Sequence, residues 1–552
     1  MTKISVDDSS PSKRHNNFSR RGTPLLISRR ALLKDSTSAG ALIAMGGVTL
    51  LASLPSPAQA AVVSVELDVT LAMINGVECR TYNGVVPGPT ISAAPGDRID
   101  VRLLNNLPVN PDDNDCLAGH ESNNHGTHVS ATVPASHNEE HGLNTTNLHT
   151  HGLHVSPHKD STGQFDADNV FLKILPKDQV ASCWEDETFR RHEANYRFEL
   201  SQDHPPGTNW YHAHKHGSTA KQVSEGMVGP LIVRDPQGLM PSYIEKAPER
   251  TFVFTGKGPW LAESNGSGVF KPTVTLRPGA VERWRIINAN PSGTAFVSLV
   301  MESGDVELWQ IAYDGLTLPR RLLITPSNKE PWENYANLAP GNRTDLMIRI
   351  KRSAQDASIA LRAIPGSFEF LHSEADHSLV ALAATEVKIG IKVDGDPVDD
   401  EWSEDDALPG PGVEPIEFIE PIRQRTVVFK EVLIDGDMKN TIDGKLYDGV
   451  VGQRMNLGTV EQWTIVNETK RTHPFHIHVN PFFVTHVNGA ELQPSDPLRR
   501  WQDTIALPPM KDGVSGSVTF LSRFADFRGA FVIHCHILQH EDDGMMQKVE
   551  VV

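Results

Sequence analysis

The chain has 552 residues and a formal net charge of −18 at pH 7. This length allows three or four domains of ordinary size, and the acidic balance argues against sequence-independent binding to nucleic acid or to an anionic membrane, since both need clustered cations. The 42 glycines and 38 prolines fall between short runs of Val, Ile, Leu and Thr. That pattern is typical of many strands joined by turns, so the composition predicts an all-β protein.

The first 60 residues have the pattern of an export signal. Residues 28–34 read Ser-Arg-Arg-Ala-Leu-Leu-Lys, and an apolar run and the small residues Ala58 and Ala60 follow. This order is that of a twin-arginine signal peptide covering residues 1–60, which we expect to be removed. A membrane anchor is the alternative, but the run is short and three glycines interrupt it. We therefore expect a periplasmic or secreted protein with no stable membrane span.

One pattern occurs three times along the chain. Each copy begins with glycine, ends with asparagine nine positions later and alternates apolar with polar residues between them. The copies cover residues 96–105, 279–288 and 458–467. The alternation predicts a half-buried strand after a turn, and the nearly constant separation of the copies indicates three related β-domains. We place the domains at residues 62–238, 239–392 and 418–552.

Four short segments carry closely spaced histidines. They read His149-Thr-His151, His212-Ala-His214, His473-Pro-Phe-His476-Ile-His478 and His534-Cys535-His536, the last followed by His540 and Met545. Residues two apart in a strand point to the same face, so each His-x-His pair can direct two imidazoles at one metal site. A single pair of this kind is more often two exposed histidines. Four such segments in one chain predict a metal centre.

The last of these segments must serve two sites. His534 and His536 point to one face of the predicted strand and Cys535 to the other. On the cysteine side, the available ligands form the set of two His, one Cys and one weak Met that is typical of a blue-copper electron-transfer site. That set is His473, Cys535, His540 and Met545. On the opposite face, eight histidines remain, a number that suits a cluster of three copper ions.

These motifs, in this order and spacing, resemble those of the multicopper oxidases, a family that includes laccases, cuprous oxidases and bilirubin oxidases. The resemblance covers nearly the whole mature chain, and bacterial laccases are the members that it favours. It implies three cupredoxin-like Greek-key β-sandwich domains, the first and third enclosing the three-copper cluster. It also implies four copper ions, which are one type 1 ion, one type 2 ion and a type 3 pair.

The resemblance assigns every motif residue to one of the copper sites. The type 1 copper takes His473, Cys535, His540 and Met545. The type 2 copper takes His149 and His476. The type 3 pair takes His151, His212, His214, His478, His534 and His536. Met546 is a rival to Met545 but would face away in an extended segment, and the nearby histidines His154, His158 and His216 are expected to be exposed or to lie behind the ligands.

Two carboxylates are further expected to handle protons. Glu541 follows His540 at the position of the acidic residue that bacterial members use as a proton donor; the alternative is an exposed surface carboxylate. The family also places an Asp after the first histidine motif. That region is lengthened here and offers Asp160 and Asp168, of which the sequence context favours Asp168. The resemblance therefore implies Glu541, Asp168 and Cys535 as catalytic residues.

Two segments interrupt the β pattern. Residues 394–421 are rich in Asp, Glu, Pro and Gly, and they predict an acidic surface linker at about 393–417. Residues 108–144 form an insertion in the first domain with five histidines, which are His120, His125, His128, His137 and His141. The simplest interpretation of the insertion is a solvated loop. The alternative is a surface site that collects copper or gates the access of substrate.

Only four cysteines occur in the chain. Cys535 is required as a ligand, and an oxidising compartment permits one disulfide among Cys79, Cys116 and Cys183. We favour Cys116 with Cys183, because both lie in loop-like sequence of the first third, although spacing alone does not determine the pairing.

The function that the resemblance implies is laccase-like. Phenols and related aromatic donors would give up single electrons at the type 1 copper, and dioxygen would be reduced to water at the cluster. One alternative is a metallo-oxidase of cuprous or manganous ions, although the 12 methionines form no cluster. Another is a non-catalytic periplasmic copper-binding or structural relative, which is disfavoured because no ligand is missing. The expected partners are a small reducing molecule and dioxygen, with no nucleic acid, and the expected state is a monomer.

Overall fold

The computed structural model describes most of the chain after residue 59. The described ranges are 60–111, 137–180, 187–263, 268–292, 297–301, 303–325, 336–354, 357–365, 370–372, 379–381, 387–399 and 401–552. Nearly all of the predicted signal peptide, the insertion histidines His120, His125 and His128, and the predicted cysteine pair Cys116 and Cys183 lie outside them. Within these ranges, no helix is long and apolar enough to cross a membrane.

Strands dominate the described residues, which confirms the all-β prediction. The helices there are short: α1 (Thr219–Glu225), α2 (Ser242–Glu245) and α3 (Leu538–Asp542). The strands form three consecutive pairs of sheets, named below the first, second and third sheet pair. The domain boundaries given above stay predictions.

The first sheet pair consists of two four-stranded sheets, with orders β2-β1-β4-β8 and β3-β10-β9-β5, and a separate parallel pair β6-β7. The strands are β1 (Val62–Ile74), β2 (Val77–Tyr82), β3 (Ile91–Ala93), β4 (Arg98–Asn105), β5 (His149–His151), β6 (Lys173–Leu175), β7 (Phe189–Arg191), β8 (Glu193–Glu199), β9 (Gly207–His212) and β10 (Val228–Val233). Leu103 and Phe198 of the first sheet share one buried core with Tyr211 and Leu231 of the second. Burial of these apolar faces against each other holds the two layers together.

The second sheet pair follows the same plan, with orders β13-β12-β11-β15-β20-β17-β18 and β14-β24-β21-β16-β19 and a short hairpin β22-β23. The strands are β11 (Glu249–Thr255), β12 (Gly258–Ala262), β13 (Gly268–Phe270), β14 (Thr273–Leu276), β15 (Val281–Asn288), β16 (Val297–Met301), β17 (Val306–Tyr313), β18 (Leu316–Leu323), β19 (Asn337–Leu338), β20 (Arg343–Ile350), β21 (Ala357–Pro365), β22 (Phe370–His372), β23 (Leu379–Ala381) and β24 (Val387–Val393). Phe252, Trp284 and Leu346 pack in its core against Ile389.

The third sheet pair has a sheet of order β26-β25-β28-β34-β30-β31, with β32 also paired to β30, and a five-stranded sheet of order β27-β36-β35-β29-β33. The strands are β25 (Arg423–Ile434), β26 (Asp437–Ile442), β27 (Val451–Met455), β28 (Thr459–Asn467), β29 (His473–Ile477), β30 (Phe482–Val487), β31 (Ala490–Glu491), β32 (Trp501–Gln502), β33 (Thr504–Leu507), β34 (Gly516–Phe524), β35 (Gly529–Cys535) and β36 (Met546–Val551). Trp463 and Phe520 meet Phe475 and Ile533 in its core.

The repeated sequence pattern occupies the same place in all three sheet pairs. It forms β4, β15 and β28, and each of these strands runs parallel to the first strand of its sheet, β1, β11 or β25. The terminal residues Asn105, Asn288 and Asn467 are fully buried. In each case the side-chain Oδ1 accepts a hydrogen bond from the N–H two residues later, at 3.1, 3.3 and 3.0 Å. The asparagine at the end of each copy therefore forms a turn that ends the strand.

The acidic linker is anchored more firmly than a surface segment would be. Trp402 packs against Tyr243 and Trp309 of the second sheet pair. Ile416 is fully buried among residues that include Val460 and Trp501 of the third sheet pair. The acidic composition of the linker predicts a segment at the surface. Its apolar residues Trp402 and Ile416 nevertheless pack against the two sheet pairs.

Candidate metal centre

Two pairs of neighbouring strands position the histidine motifs. In the first sheet pair, β5 lies antiparallel to β9, so that His149 is opposite His212. In the third, β29 lies antiparallel to β35, so that His476 is opposite His534. His478 and His536 come directly after the ends of their strands, and His214 comes two residues after the end of β9. The structure thus brings all eight histidines predicted for the three-copper cluster into contact.

The eight imidazoles are at most 2% exposed, and their spacing suits shared metal ions. His214 Nε2 and His478 Nε2 lie 3.3 and 3.2 Å from His534 Nε2. On the other side, His536 Nε2 lies 3.3 Å from His151 Nδ1. Imidazole nitrogens that bind one ion at about 2 Å in tetrahedral geometry are separated by roughly 3.3 Å. His214, His478 and His534 therefore have the spacing of three ligands to one ion.

Unpaired ring nitrogens point to the same conclusion. Within the described residues, the Nε2 atoms of His149, His212 and His476 are buried without a hydrogen-bond partner. Their Nδ1 atoms are engaged on the outer side by Asp168 Oδ2, Ala213 O and Asp503 O, each at 2.9 Å. Buried polar atoms are rarely left without a partner. A donor set of inward-facing, otherwise unsatisfied imidazoles fits copper.

The electrostatics favour the metal-binding form of these rings. Burial lowers the pKa of each cluster histidine below its ordinary value, and for all of them except His534 neighbouring imidazoles lower it further. The pKa falls to about 3 for His212 and to about 4 for His534. At neutral pH the rings are therefore deprotonated, as metal binding requires.

A second group of ligands lies on the other side of β35. Cys535 Sγ is 3.5 Å from His473 Nδ1 and 3.7 Å from His540 Nδ1. Met545 is fully buried in the same core as Cys535, whereas Met546 packs in a different cluster, as predicted from an extended segment. The donor set of one thiol, two imidazoles and a nearby thioether fits a blue-copper site. Its ligand roles stay predictions.

Asp168 and Asp160 lie in very different places. Asp168 is buried behind His149, and its Oδ1 accepts a hydrogen bond from Thr150 N at 2.8 Å. Burial raises the pKa of Asp168 to about 7. Asp160 instead accepts hydrogen bonds within its own loop and pairs with Arg197. Only Asp168 of the two is next to the histidine cluster.

Glu541 is fully buried rather than exposed. Its Oε1 lies 3.9 Å from His214 Nδ1 and 3.8 Å from His216 Nδ1. Burial and the neighbouring Asp542 raise the pKa of Glu541 well above its ordinary value. Burial therefore favours the protonated form of Glu541, whose carboxyl is held directly behind a predicted copper ligand.

The other histidines near the motifs lie outside the cluster. His216 lies behind Glu541 and contacts Asn138 Oδ1 at 3.2 Å. His154 bonds to Val479 O and Asp526, and His158 is exposed. Of the insertion histidines, His137 and His141 are buried, with ring centroids 4.7 Å apart.

Sequence reasoning missed the contribution of the second sheet pair. Arg343 of β20 forms an ion pair with Asp503, which itself contacts His151 and His476. Asp314 accepts a hydrogen bond from Asp503 N. No motif marks these residues, because a buried Arg and Asp have no characteristic spacing in the sequence. Asp503 directly precedes β33, which begins at Thr504 and pairs with β29. This position is the only signal that could have suggested that Asp503 lies near β29.

The sequence matches known proteins along most of its length. Two profiles described as multicopper oxidase match residues 178–238 and 426–552. A laccase of Bacillus stratosphericus is 24% identical over 86% of this chain and 90% of its own length. A laccase of Bacillus subtilis (strain 168) is 25% identical over 85% and 89%. A solved multicopper oxidase from Campylobacter jejuni, described as a metallo-oxidase, superposes with a TM-score of 0.60 at 21% identity, covering 89% of this chain and 91% of that one.

The fold, the histidine cluster and these matches agree: they support a bacterial laccase-like multicopper oxidase, and bacterial laccases are among the proteins that the chain is similar to. Members of the family are copper-dependent oxidoreductases that use dioxygen and small reducing molecules. The cupredoxin-like sandwich architecture expected for the three sheet pairs is confirmed.

Proposed function

We propose that this protein is a laccase-like oxidase that takes single electrons from phenolic or related aromatic donors and reduces dioxygen to water, using one type 1 copper and a cluster of three. The observation that carries the proposal is the position of Cys535 between His534 and His536 at the end of β35. The thiol lies with His473 and His540, while the flanking imidazoles lie in the cluster. Adjacent residues thus join the two groups of ligands covalently.

Four copper ions are supported by the number of donors. His473, Cys535, His540 and Met545 would hold the type 1 ion, and the eight cluster histidines the other three. Copper bound there supplies the one-electron redox steps and the activation of dioxygen that the protein side chains lack.

The two ends of the site differ in their access to solvent. His540 is 8% exposed and His473 fully buried, and Thr469 Oγ1 lies 2.8 Å from His473 Nε2. The edge of His540 is thus the point at which a donor comes nearest to the type 1 ligands. The cluster, by contrast, is enclosed by protein, which keeps partly reduced oxygen species away from bulk water.

Glu541 and Asp168 are proposed to move protons. Reduction of dioxygen to water consumes protons, and burial raises the pKa of Glu541 and so favours the protonated form that can donate one. Its carboxyl lies within 4 Å of His214 Nδ1. Asp168, whose pKa burial raises to about 7, also orients His149 through the contact with the Nδ1 atom of that ring.

A second candidate function is the oxidation of metal ions. Asp543 lies three residues after His540, and its pKa is raised by burial and by the negative charges of Glu140 and Glu139. Asp543 and these two glutamates form a group of carboxylates three residues beyond a predicted type 1 ligand, and such a group would attract a cation more than a neutral phenol. The solved relative from Campylobacter jejuni is itself described as a metallo-oxidase.

We also propose that residues 1–60 direct export through the twin-arginine route. The support is the Arg29-Arg30 pair and the apolar run that follows it. The N-terminal sequence of protein recovered outside the cytoplasm tests this, because a start near residue 61 is expected and an intact N-terminus would contradict it.

The function is tested by oxygen uptake with the copper-loaded protein. A phenol, a cuprous salt and a manganous salt are offered separately to the wild type, to Cys535→Ser and to Cys79→Ser. Cys79 is also a buried thiol, but it lies in β2, which supplies no predicted copper ligand. We expect uptake with the phenol by the wild type and Cys79→Ser, and neither uptake nor blue colour with Cys535→Ser.

The other outcomes separate the alternatives. Uptake with a metal ion but not with the phenol would make the protein a metallo-oxidase. A fully copper-loaded, blue protein that consumes no oxygen with any donor would contradict catalysis and favour a copper-binding role.

A further inference from the structure

A buried ion pair joins the second sheet pair to the histidine cluster. Arg343 donates from Nη1 and Nη2 to the two carboxylate oxygens of Asp503, at 2.7 and 2.8 Å. The two side chains are 0% and 7% exposed. Parallel hydrogen bonds of this kind are the strong form of an arginine–carboxylate contact and fix the plane of the carboxylate. Arg343 therefore determines the orientation of Asp503.

The backbone of Asp503 is fixed independently. Asp314 Oδ2 accepts hydrogen bonds from the N–H groups of Asp503 and Thr504, both at 3.2 Å. Asn342, next to Arg343, donates to Asp314 and to Thr504 O. Residues of the second sheet pair thus hold both the side chain and the main chain of Asp503.

Asp503 in turn faces two cluster histidines. Its Oδ1 lies 3.2 Å from His151 Nε2, and its backbone oxygen lies 2.9 Å from His476 Nδ1. A carboxylate paired with arginine only accepts hydrogen bonds, so the Nε2 atom of His151 must carry the proton. The lone pair of the neutral ring is then on Nδ1, the atom that faces His536 Nε2 at 3.3 Å.

This orientation distinguishes His151 from the other cluster histidines. Where the outer nitrogen of His149, His212, His476 or His534 has a partner, that nitrogen is Nδ1. These rings therefore face the cluster through Nε2. Among the eight histidines, His151 alone has its contact with a neighbouring cluster ring through Nδ1. Asp503 Oδ1 is the nearer group at its other nitrogen, at 3.2 Å, and Thr504 Oγ1 lies 3.4 Å from the same atom.

The backbone is shaped around this arrangement. Gly152 has a φ of +98°, and a Cβ there would lie 2.2 Å from Arg343 Nη2. Gly341 has a φ of +95°, and a Cβ there would lie 2.8 Å from His536 Cδ2 and 3.1 Å from His151 Cε1. Glycine at these two positions lets Arg343 and the β19–β20 loop approach the cluster.

We propose that Asp503, held by Arg343, is a positioning residue that fixes the tautomer and the ring orientation of His151 in the cluster. The second sheet pair supplies none of the predicted ligands, and it contributes to the cluster by orienting one of them. This inference rests on the proposed copper cluster. Partners behind metal-binding histidines commonly set the tautomer and the orientation of the ring.

The test compares Asp503→Asn and Arg343→Lys with the control Asp345→Asn. Asp345 is also a fully buried carboxylate that pairs with arginines, Arg283 and Arg285, but it contacts no cluster histidine. For each copper-loaded protein we would measure copper per chain, the blue absorption of the type 1 site, and electron paramagnetic resonance spins per chain. A coupled copper pair is silent in that spectrum, whereas a disrupted pair contributes spins.

We expect Asp503→Asn to keep the blue absorption but to bind cluster copper about 10- to 100-fold more weakly, the usual effect of losing such a partner. Its spins per copper should rise. Arg343→Lys keeps the charge but loses the two parallel hydrogen bonds. Its copper affinity and its spins per copper should therefore change in the same direction as in Asp503→Asn, but by less. Asp345→Asn should lower thermal stability without changing spins per copper.

Two results would overturn the proposal. One is wild-type copper content and spins in both Asp503→Asn and Arg343→Lys; the other is an equal change in Asp345→Asn. If Asp503→Asn does not fold, Arg343→Lys decides. A wild-type protein that binds no cluster copper would refute the proposed function itself, which separates that failure from a failure of this inference.

Discussion

The eight cluster imidazoles are chemically alike but are supported by different groups. His149 and His151 have carboxylates behind them, Asp168 and Asp503. His212 and His534 have only backbone carbonyl oxygens. A carboxylate makes the ring a more basic ligand than a carbonyl does. The two histidines of the first motif are therefore expected to donate more strongly to copper than their counterparts in the other motifs.

Gly341 is the residue whose substitution tests the close approach of the β19–β20 loop. Alanine at Gly341 would meet His536 and His151, and its φ of +95° disfavours any side chain. The backbone effect alone costs about 1–2 kcal/mol of unfolding free energy. We expect Gly341→Ala to lose more than this and to retain less copper, measured by denaturant unfolding and by copper per chain.

The matched control is Gly76→Ala. Gly76 has a φ of +82°, but nothing lies within 4 Å of its added Cβ. This variant should show the backbone cost and full copper content. Equal copper content in the two variants would mean that the loop can retreat from the cluster without consequence.

The sequence identified residues whose role depends on spacing. The His-x-His motifs fall on strands or at strand ends, where a period of two directs both rings the same way. Asp168 could be chosen over Asp160 because its sequence context resembles that of the Asp that the family places after the first motif. Asp503 could not, because its partners His151 and Arg343 are 352 and 160 residues away. Contacts of that separation depend on tertiary packing, which leaves no local pattern.

At the scale of elements, α3 serves three purposes in consecutive residues. His540 points to Cys535, Glu541 lies behind His214, and Asp542 accepts hydrogen bonds from the N–H groups at the start of α1. A carboxylate at a helix N-terminus satisfies N–H groups that the helix leaves unpaired. One short helix thus connects the type 1 ligands, the proton-carrying carboxyl and the helix after His214.

The acidic composition of the linker between the second and third sheet pairs did not predict that one of its residues is fully buried. Ile416 is fully buried. Ile416→Ala should lower the free energy of unfolding by about 2–5 kcal/mol, because it removes a buried side chain and leaves a cavity. Denaturant unfolding followed by tryptophan fluorescence measures this loss.

Phe418 provides the control for that variant. It lies two residues after Ile416, directly beyond the predicted linker, and is 91% exposed. Phe418→Ala should change the unfolding free energy by no more than about 0.5 kcal/mol. A loss of similar size in both variants would show that the linker contributes through its main chain rather than through Ile416.

At the scale of the whole molecule, the three sheet pairs share one arrangement of strands but contribute unequally to the metal centre. The strands β4, β15 and β28 occupy equivalent places in their sheets. The sequence repeat could predict this equivalence, because it lies in local residue order. The predicted copper ligands, however, come only from the first and third sheet pairs. The second sheet pair contributes Arg343 and Gly341 from behind the cluster.

The metal centre also determines how stability responds to pH. Many buried histidines have a pKa lowered by burial: His149, His151, His204, His212, His214, His216, His473, His476, His478, His534, His536 and His540. Fewer buried carboxyls have a strongly raised pKa: Asp168, Asp314 and Asp542 at about 7, and Glu541. As the pH rises, the two sets of groups change the free energy of unfolding in opposite directions. Below pH 6.5 the unfolded chain protonates its histidines while the folded chain does not, whereas the folded chain alone keeps its carboxyls protonated.

The copper-free protein should therefore gain stability as the pH rises from about 4 to 6.5, because the histidines outnumber the carboxyls. Each net proton that the unfolded chain binds in excess changes the unfolding free energy by about 1.4 kcal/mol per pH unit. Above the ordinary histidine pKa of 6.5 only the carboxyls, with pKa values of about 7, still contribute. The rise in unfolding free energy with pH should therefore stop above about pH 6.5. Urea unfolding of the chelator-treated protein at pH 5.0, 6.0 and 7.0 measures the slope, and stability that falls between pH 5.0 and 6.0 would mean that the cluster imidazoles are not buried as neutral rings.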